Sequence, residues 1–187
     1  MRKNFGVKPM VYPMPVFIIG SYGENGVPNA MNAAWGGISE ENEISICVSP
    51  EHKTTENILK RGAFTVSPAT EDTVTSSDYV GIASGNDVEN KLDICGFTTE
   101  KSEFVDAPVI KELPMTLECK LKSYDENTCR LVGEIVNVSA DESILTDGRI
   151  DPEKLRPISY DPSLHGYFAL GKKVGRAFFD GKIYLKK

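Results

Sequence analysis

The chain has 187 residues, 40% hydrophobic and 26% charged, ordinary proportions for a folded protein, so one domain over residues 1–187 is the expectation. Its 21 Lys plus Arg against 27 Asp plus Glu leave a net charge of −6, which argues against nucleic acid as a partner. The apolar run at residues 16–19 is too short for a signal peptide or a membrane span, which predicts a cytoplasmic protein with no membrane partner.

Residues 16–19 read as a β-rich run ending at Gly20, and Glu24-Asn25-Gly26 supplies a turn. A strand is predicted over residues 27–38, then a polar turn, then an alternating strand over residues 44–48; these three are expected to form an antiparallel meander. A helix follows, with Thr54 or Thr55 as N-cap, Glu56 in its first turn, Lys60 and Arg61 in its last and Gly62 as its stop. Residues 63–67 return as a strand and residues 72–84 read as a helix. Residues 86–111 read as a covering loop with one short helix. Alternation at Leu117, Cys119 and Leu121 predicts a strand with one wet face, paired through a turn at Asp125-Glu126-Asn127 with residues 128–138. Gly133 within that hairpin marks a bulge or a close approach. Residues 143–162 read as loop with one helical turn, and residues 167–170 as a late strand. Closely spaced strands with a few short helices argue for a β-barrel with helical additions.

Cys47, Cys95, Cys119 and Cys129 lie far apart with no Cys-x-x-Cys, which predicts reduced thiols. With only two His, no metal-ligand spacing emerges. The informative stretch is Pro28-Asn29-Ala30-Met31-Asn32-Ala33-Ala34-Trp35-Gly36-Gly37, followed by Ser49-Pro50-Glu51-His52-Lys53-Thr54-Thr55-Glu56-Asn57. Hydroxyls, a lysine and free N–H groups at a helix start suit a phosphate. A surface of Ala and Gly lets a planar ring lie against backbone. Together they predict a site for a phosphorylated aromatic cofactor.

Those residues carry a family resemblance. Tyr12-Pro13-Met14-Pro15-Val16, Gly26-Val27-Pro28-Asn29-Ala30-Met31, Ala33-Ala34-Trp35 and the Ser49 to Ile58 stretch resemble the flavin-reductase-like, FMN-binding split-barrel proteins, most closely the flavoredoxin-type branch. Ser84-Gly85 with Asn90-Lys91, Met115-Thr116-Leu117-Glu118-Cys119 and Gly166-Tyr167-Phe168-Ala169-Leu170-Gly171 extend the match along nearly the whole chain.

The resemblance implies a mainly β fold, an antiparallel, Greek-key-like split barrel with a few short helices, binding FMN and transferring electrons as a homodimer. It implies that Lys53 meets the FMN phosphate, helped by Ser49, His52, Thr54 and Thr55, where the plainer reading is a solvated lysine beside a helix cap. Asn29, Asn32, Ala33, Ala34 and Trp35 would carry the ring side; alternatively Trp35 is a core residue and the two Asn bond turn backbone. Lys91 would stand near the pyrimidine edge of the flavin, or else pair with Asp87 or Asp93. Tyr12 and Tyr167 are candidates for closing over the ring, or for burial with one bonded hydroxyl.

NAD(P)H is a candidate electron donor and a redox protein a candidate partner. Many NAD(P)H:flavin reductases carry Gly-Asp-His before a barrel strand. Here the hairpin reads Asp125-Glu126-Asn127-Thr128-Cys129-Arg130, without His, which counts against direct hydride transfer. The alternative is a flavin-binding carrier or sensor with no turnover. No residue pattern nominates an acid, base or nucleophile, so the catalytic residues stay unknown.

Overall fold

The computed structural model describes residues 1–185. In chain order its strands are β1 (Met14–Pro15), β2 (Phe17–Tyr22), β3 (Pro28–Ala33), β4 (Gly36–Glu40) and β5 (Glu43–Cys47). Helix α1 (Lys53–Arg61) follows, then β6 (Ala63–Pro68), α2 (Val74–Ile82), α3 (Lys91–Ile94), β7 (Thr99–Lys101) and β8 (Pro108–Ile110). The long pair β9 (Met115–Asp125) and β10 (Arg130–Ala140) leads to β11 (Leu145–Thr146), β12 (Arg149–Ile150), α4 (Pro152–Leu155), β13 (Ile158–Asp161) and β14 (Gly166–Ala169).

Seven strands make one antiparallel sheet in the order β3-β2-β6-β9-β10-β5-β4. β3 and β4 stand at its two edges, yet only Ala34 and Trp35 separate them in sequence. Three Cα steps span no more than about 11 Å, so the edges must lie close and the sheet is rolled. The predicted single strand over residues 27–38 is therefore broken at Ala34-Trp35. The predicted meander is replaced by two hairpins, β2–β3 and β4–β5, on opposite sides of a split barrel. Sequence alternation does not report this, because both pieces are extended.

Inside the roll, Ile19, Ile44, Ile46, Phe64, Val66, Cys119 and Leu131 form one buried core, sealed at an end by Ile58 of α1. Val16, Ile18 and Ala30 face the other way, into a second core with Val80 of α2, Leu92 of α3, Phe97 and Ile110. β2 is thus buried on both faces, which explains its unbroken apolar run. Burial pushes the Cys119 thiol up to about 12, so it is an inert core group.

His52, not a threonine, is the N-cap of α1, and Gly62 ends that helix in the left-handed region as predicted. The predicted wet face of β9 fails at Glu118. It is buried, accepting from Ser102 Oγ and from Asn137 Nδ2 at 2.7 Å, beneath the chain that leads into β8. The loop over residues 86–111 holds α3 and the β7–β8 pair.

Gly133 is a close approach and lies across from a bulge at Lys122 of β9. The β9–β10 register shifts between Val132 and Gly133, and an added Cβ would lie 2.3 Å from Phe64 Cζ. Phe64 is fully buried and has nowhere to yield. Gly133→Ala is expected to lower the unfolding free energy by about 1–3 kcal/mol in urea titrations; an unchanged midpoint would show that the barrel wall is pliable there.

Candidate functional site

α1 begins where the chain leaves β5, and its first turn faces β3 and the end of α2. His52 offers no side-chain cap, so the first N–H groups of α1 have no side-chain acceptor. His52, Lys53 and Thr54 line a cavity of about 260 Å³ with Met31 of β3, Ser84, Gly85 and Lys91. Two lysines and the positive end of a helix dipole converge on this space. Lys53 Nζ meets the Glu56 carboxylate at 3.0 Å.

A second cavity, about 480 Å³, shares Lys53 and Gly85 and is walled by Asn29, Asn57, Pro28 and Asp87. Asn29 Nδ2 donates to Thr54 Oγ1 at 2.7 Å, which fixes β3 to α1. A Cβ at Gly85 would stand 2.4 Å from Asn29 Oδ1 and 3.2 Å from Lys53 Cβ, so only glycine lets that loop close on the site. Asn57 Oδ1 is buried without a hydrogen-bond partner among the described residues.

Lys91 is 2% exposed, and its ammonium donates to the carbonyls of Val80 at 3.2 Å and Ala83 at 2.7 Å, the open end of α2. Neither Asp87 nor Asp93 is its partner. Burial pushes it down to about 8. Thr55 turns away from the cavity, fully buried, its hydroxyl donating to Ser49 C=O at 2.8 Å. The Ser49 hydroxyl is held by Glu51. These two threads tie the approach to α1 rather than line the cavity.

The ring-side candidates divide. Asn32 Nδ2 donates to Ser77 C=O of α2 at 3.0 Å. Ala33 packs against the inner core. Ala34 and Trp35 line a third cavity of about 650 Å³ with Met10, Val11, Cys47 and Arg130. Trp35 is 54% exposed and is not a core residue, because it occupies the crossing between the two sheet edges. Tyr167 donates to Asp78 at 2.7 Å and is pushed up to about 12, first by burial and then by that carboxylate. Tyr12 is bonded to Asp161.

The sequence reading did not single out Met31, Arg130 or Asn57 as lining residues. Met31 was accessible to it, lying two positions from Asn29 on the same strand face. Arg130, which donates to Ser45 Oγ at 3.0 Å, reaches the Trp35 cavity only through the β5–β10 pairing.

The family model described as flavin reductase like domain matches residues 10–159. The chain therefore belongs to the flavin reductase-like family. Within it the chain is of the flavoredoxin type. It superposes on flavoredoxin of Desulfovibrio vulgaris (Miyazaki F) with a TM-score of 0.93 at 38% identity, covering 97% of this chain and 100% of that one. Flavoredoxin from Methanosarcina acetivorans gives 0.86 at 29% identity, covering 98% of each. Nitrilotriacetate monooxygenase component B from Bacillus cereus gives 0.78 at 26%, covering 89% of each. A curated but uncharacterised protein of Aquifex aeolicus is 26% identical over 161 residues, 80% of this chain and 81% of that protein.

The displaced Lys91 has a measurable consequence. In the fold it releases its proton near pH 8, whereas in the unfolded chain it does so near 10.5. The unfolded state therefore binds more protons between those values, and stability rises with pH across that window. In flavin-free protein the unfolding free energy is expected to climb by about 1–3 kcal/mol from pH 8 to 10.5. Lys91→Met should lack that increment; equal slopes in the two proteins would show that Lys91 is not desolvated.

Proposed function

We propose that the chain is an FMN-binding redox protein that passes electrons in the manner its flavoredoxin relatives' name describes, working as a cytoplasmic homodimer. The observation that carries this reading is a pair of cavities sharing Lys53 and Gly85, one of them lined by the uncapped start of α1, Lys53 and the desolvated Lys91. The α1 start with Lys53 fits a phosphate, and Asn57 Oδ1, unpartnered among the described residues, suits a hydroxyl-bearing chain such as ribityl. When bound, FMN supplies the electron-carrying chemistry. Lys53 and the α1 N–H groups hold the anion, with His52 and Thr54 beside them. Asn29 and Thr54 fix the strand against the helix, and Ser49 and Thr55 brace the turn. Asn32 and Ala33 at the end of β3, with Ala34 and Trp35 in the crossing that follows it, continue as the ring side. Lys91 places a cation behind the loop at Gly85, where it favours an anionic reduced ring.

NAD(P)H as donor draws less support, since the Asp125–Arg130 turn holds no histidine. Anaerobic mixing with NADH or NADPH decides between a reductase and an electron carrier. Persistence of the oxidised flavin spectrum until dithionite is added is the expected result, and rapid bleaching by a nicotinamide would make the chain a reductase.

The phosphate assignment is tested separately. Lys53→Ala is expected to weaken FMN binding by about 1.5–3 kcal/mol, roughly ten- to a hundredfold, while riboflavin binding changes little. Equal affinity for FMN and riboflavin in the unsubstituted protein would remove the phosphate site.

A further inference from the structure

Residues 170–185 follow β14 and are exposed at every position. Their last hydrogen bond to the barrel side of the chain is Lys173 N–H to Glu153 at 3.2 Å. Beyond it, among the described residues, the hydrogen bonds stay within the segment. The segment is nevertheless ordered locally. Arg176 lies 3.6 Å over the Phe179 ring, its N–H donates to Asp180, and residues Asp180–Leu185 form a 3-10 turn. It exposes Val174, Phe178 (98%), Ile183 and Tyr184, four large apolar side chains within eleven residues, a density that marks an interaction site.

A complementary surface stands on the same chain. Among the described residues β4 is hydrogen-bonded only to β5, so its outer edge carries backbone groups that no described strand pairs. Ile38 projects from it, 66% exposed, and the adjoining turn exposes Glu40 and Glu41. The arm carries Lys172, Lys173, Arg176 and Lys182 against Asp180 alone, in a chain of net charge −6. An apolar, basic arm and an apolar, acidic edge in equal number on every chain are satisfied together by a two-fold exchange. We infer that the C-terminal arm of one subunit lies along the β4 edge of a second copy, with Arg176 and Lys182 against Glu40 and Glu41. This inference rests on the homodimer proposed above.

Sedimentation velocity over a dilution series tests it. The full chain is expected to sediment as a dimer. Removal of residues 174–187 should weaken dimerisation at least about tenfold while leaving the circular dichroism spectrum and melting temperature of the subunit intact, because beyond Lys173 the described residues make no hydrogen bond to the barrel. The double variant Glu40→Lys, Glu41→Lys should weaken the dimer similarly, and adding Arg176→Glu with Lys182→Glu should restore it. A full chain that is monomeric would overturn both the dimer and the arm. A dimer unchanged by the truncation, or a charge reversal without rescue, would overturn the arm alone.

Discussion

The two-residue passage through Ala34 and Trp35 is the constraint around which the molecule is arranged. A seven-stranded sheet left open would show a flat apolar face to water. Here the chain itself carries one edge to the other, so the sheet must wrap around Ile19, Phe64, Val66 and Leu131. No ladder of hydrogen bonds joins β3 to β4, and closure is covalent on one side of the seam only. That arrangement leaves β3 free to receive α1 and α2 instead of another strand, which is why the cavities form there. Bulges at Lys122 of β9, opposite Gly133, and at Val136 of β10 supply the curvature that the wrap requires.

The site itself is built from groups that the protein alone leaves partly uncompensated. α1 starts without a side-chain cap, and Asn57 holds a buried acceptor with no donor. Lys91 keeps a cation where desolvation opposes it, satisfied only by two helix carbonyls. Each arrangement has a cost in the bare protein, and on the reading proposed above an anionic ligand with hydroxyl groups answers the first two. Lys53 differs in kind. Its partner Glu56 is near the surface, so it can exchange that contact for a phosphate at little loss.

Much of this was legible in the sequence, because strand alternation, the glycine stop at Gly62 and the polar turns are local signals. The Ser49–Asn57 segment announced a helix start rich in donors, and the structure puts His52, Lys53 and Thr54 around one cavity with Lys91. What stayed hidden was non-local. Nothing in residues 27–38 distinguishes a strand that continues from one that crosses between sheet edges, and Trp35 was thereby open to a core reading. Glu118 looked like a solvated strand residue because its cover, the chain around Ser102, lies sixteen positions upstream. Thr55 looked like a ligand or a cap and proved to be a brace, a distinction set by which way the α1 start is rotated.

α2 lies on β3 with almost nothing between them. A methyl group at Gly81 would stand 2.9 Å from Asn32 Cβ, so helix and strand are fitted with no room for a side chain there, and the loop that follows the helix is as close to Asn29 at Gly85. The same strand residues border the cavities, and the same helix end is fastened by Lys91. With the cofactor in the site proposed above, its retention and the seating of this helix become one mechanical property. On that reading, loosening α2 would show at the bench as a pale protein before it showed as an unfolded one.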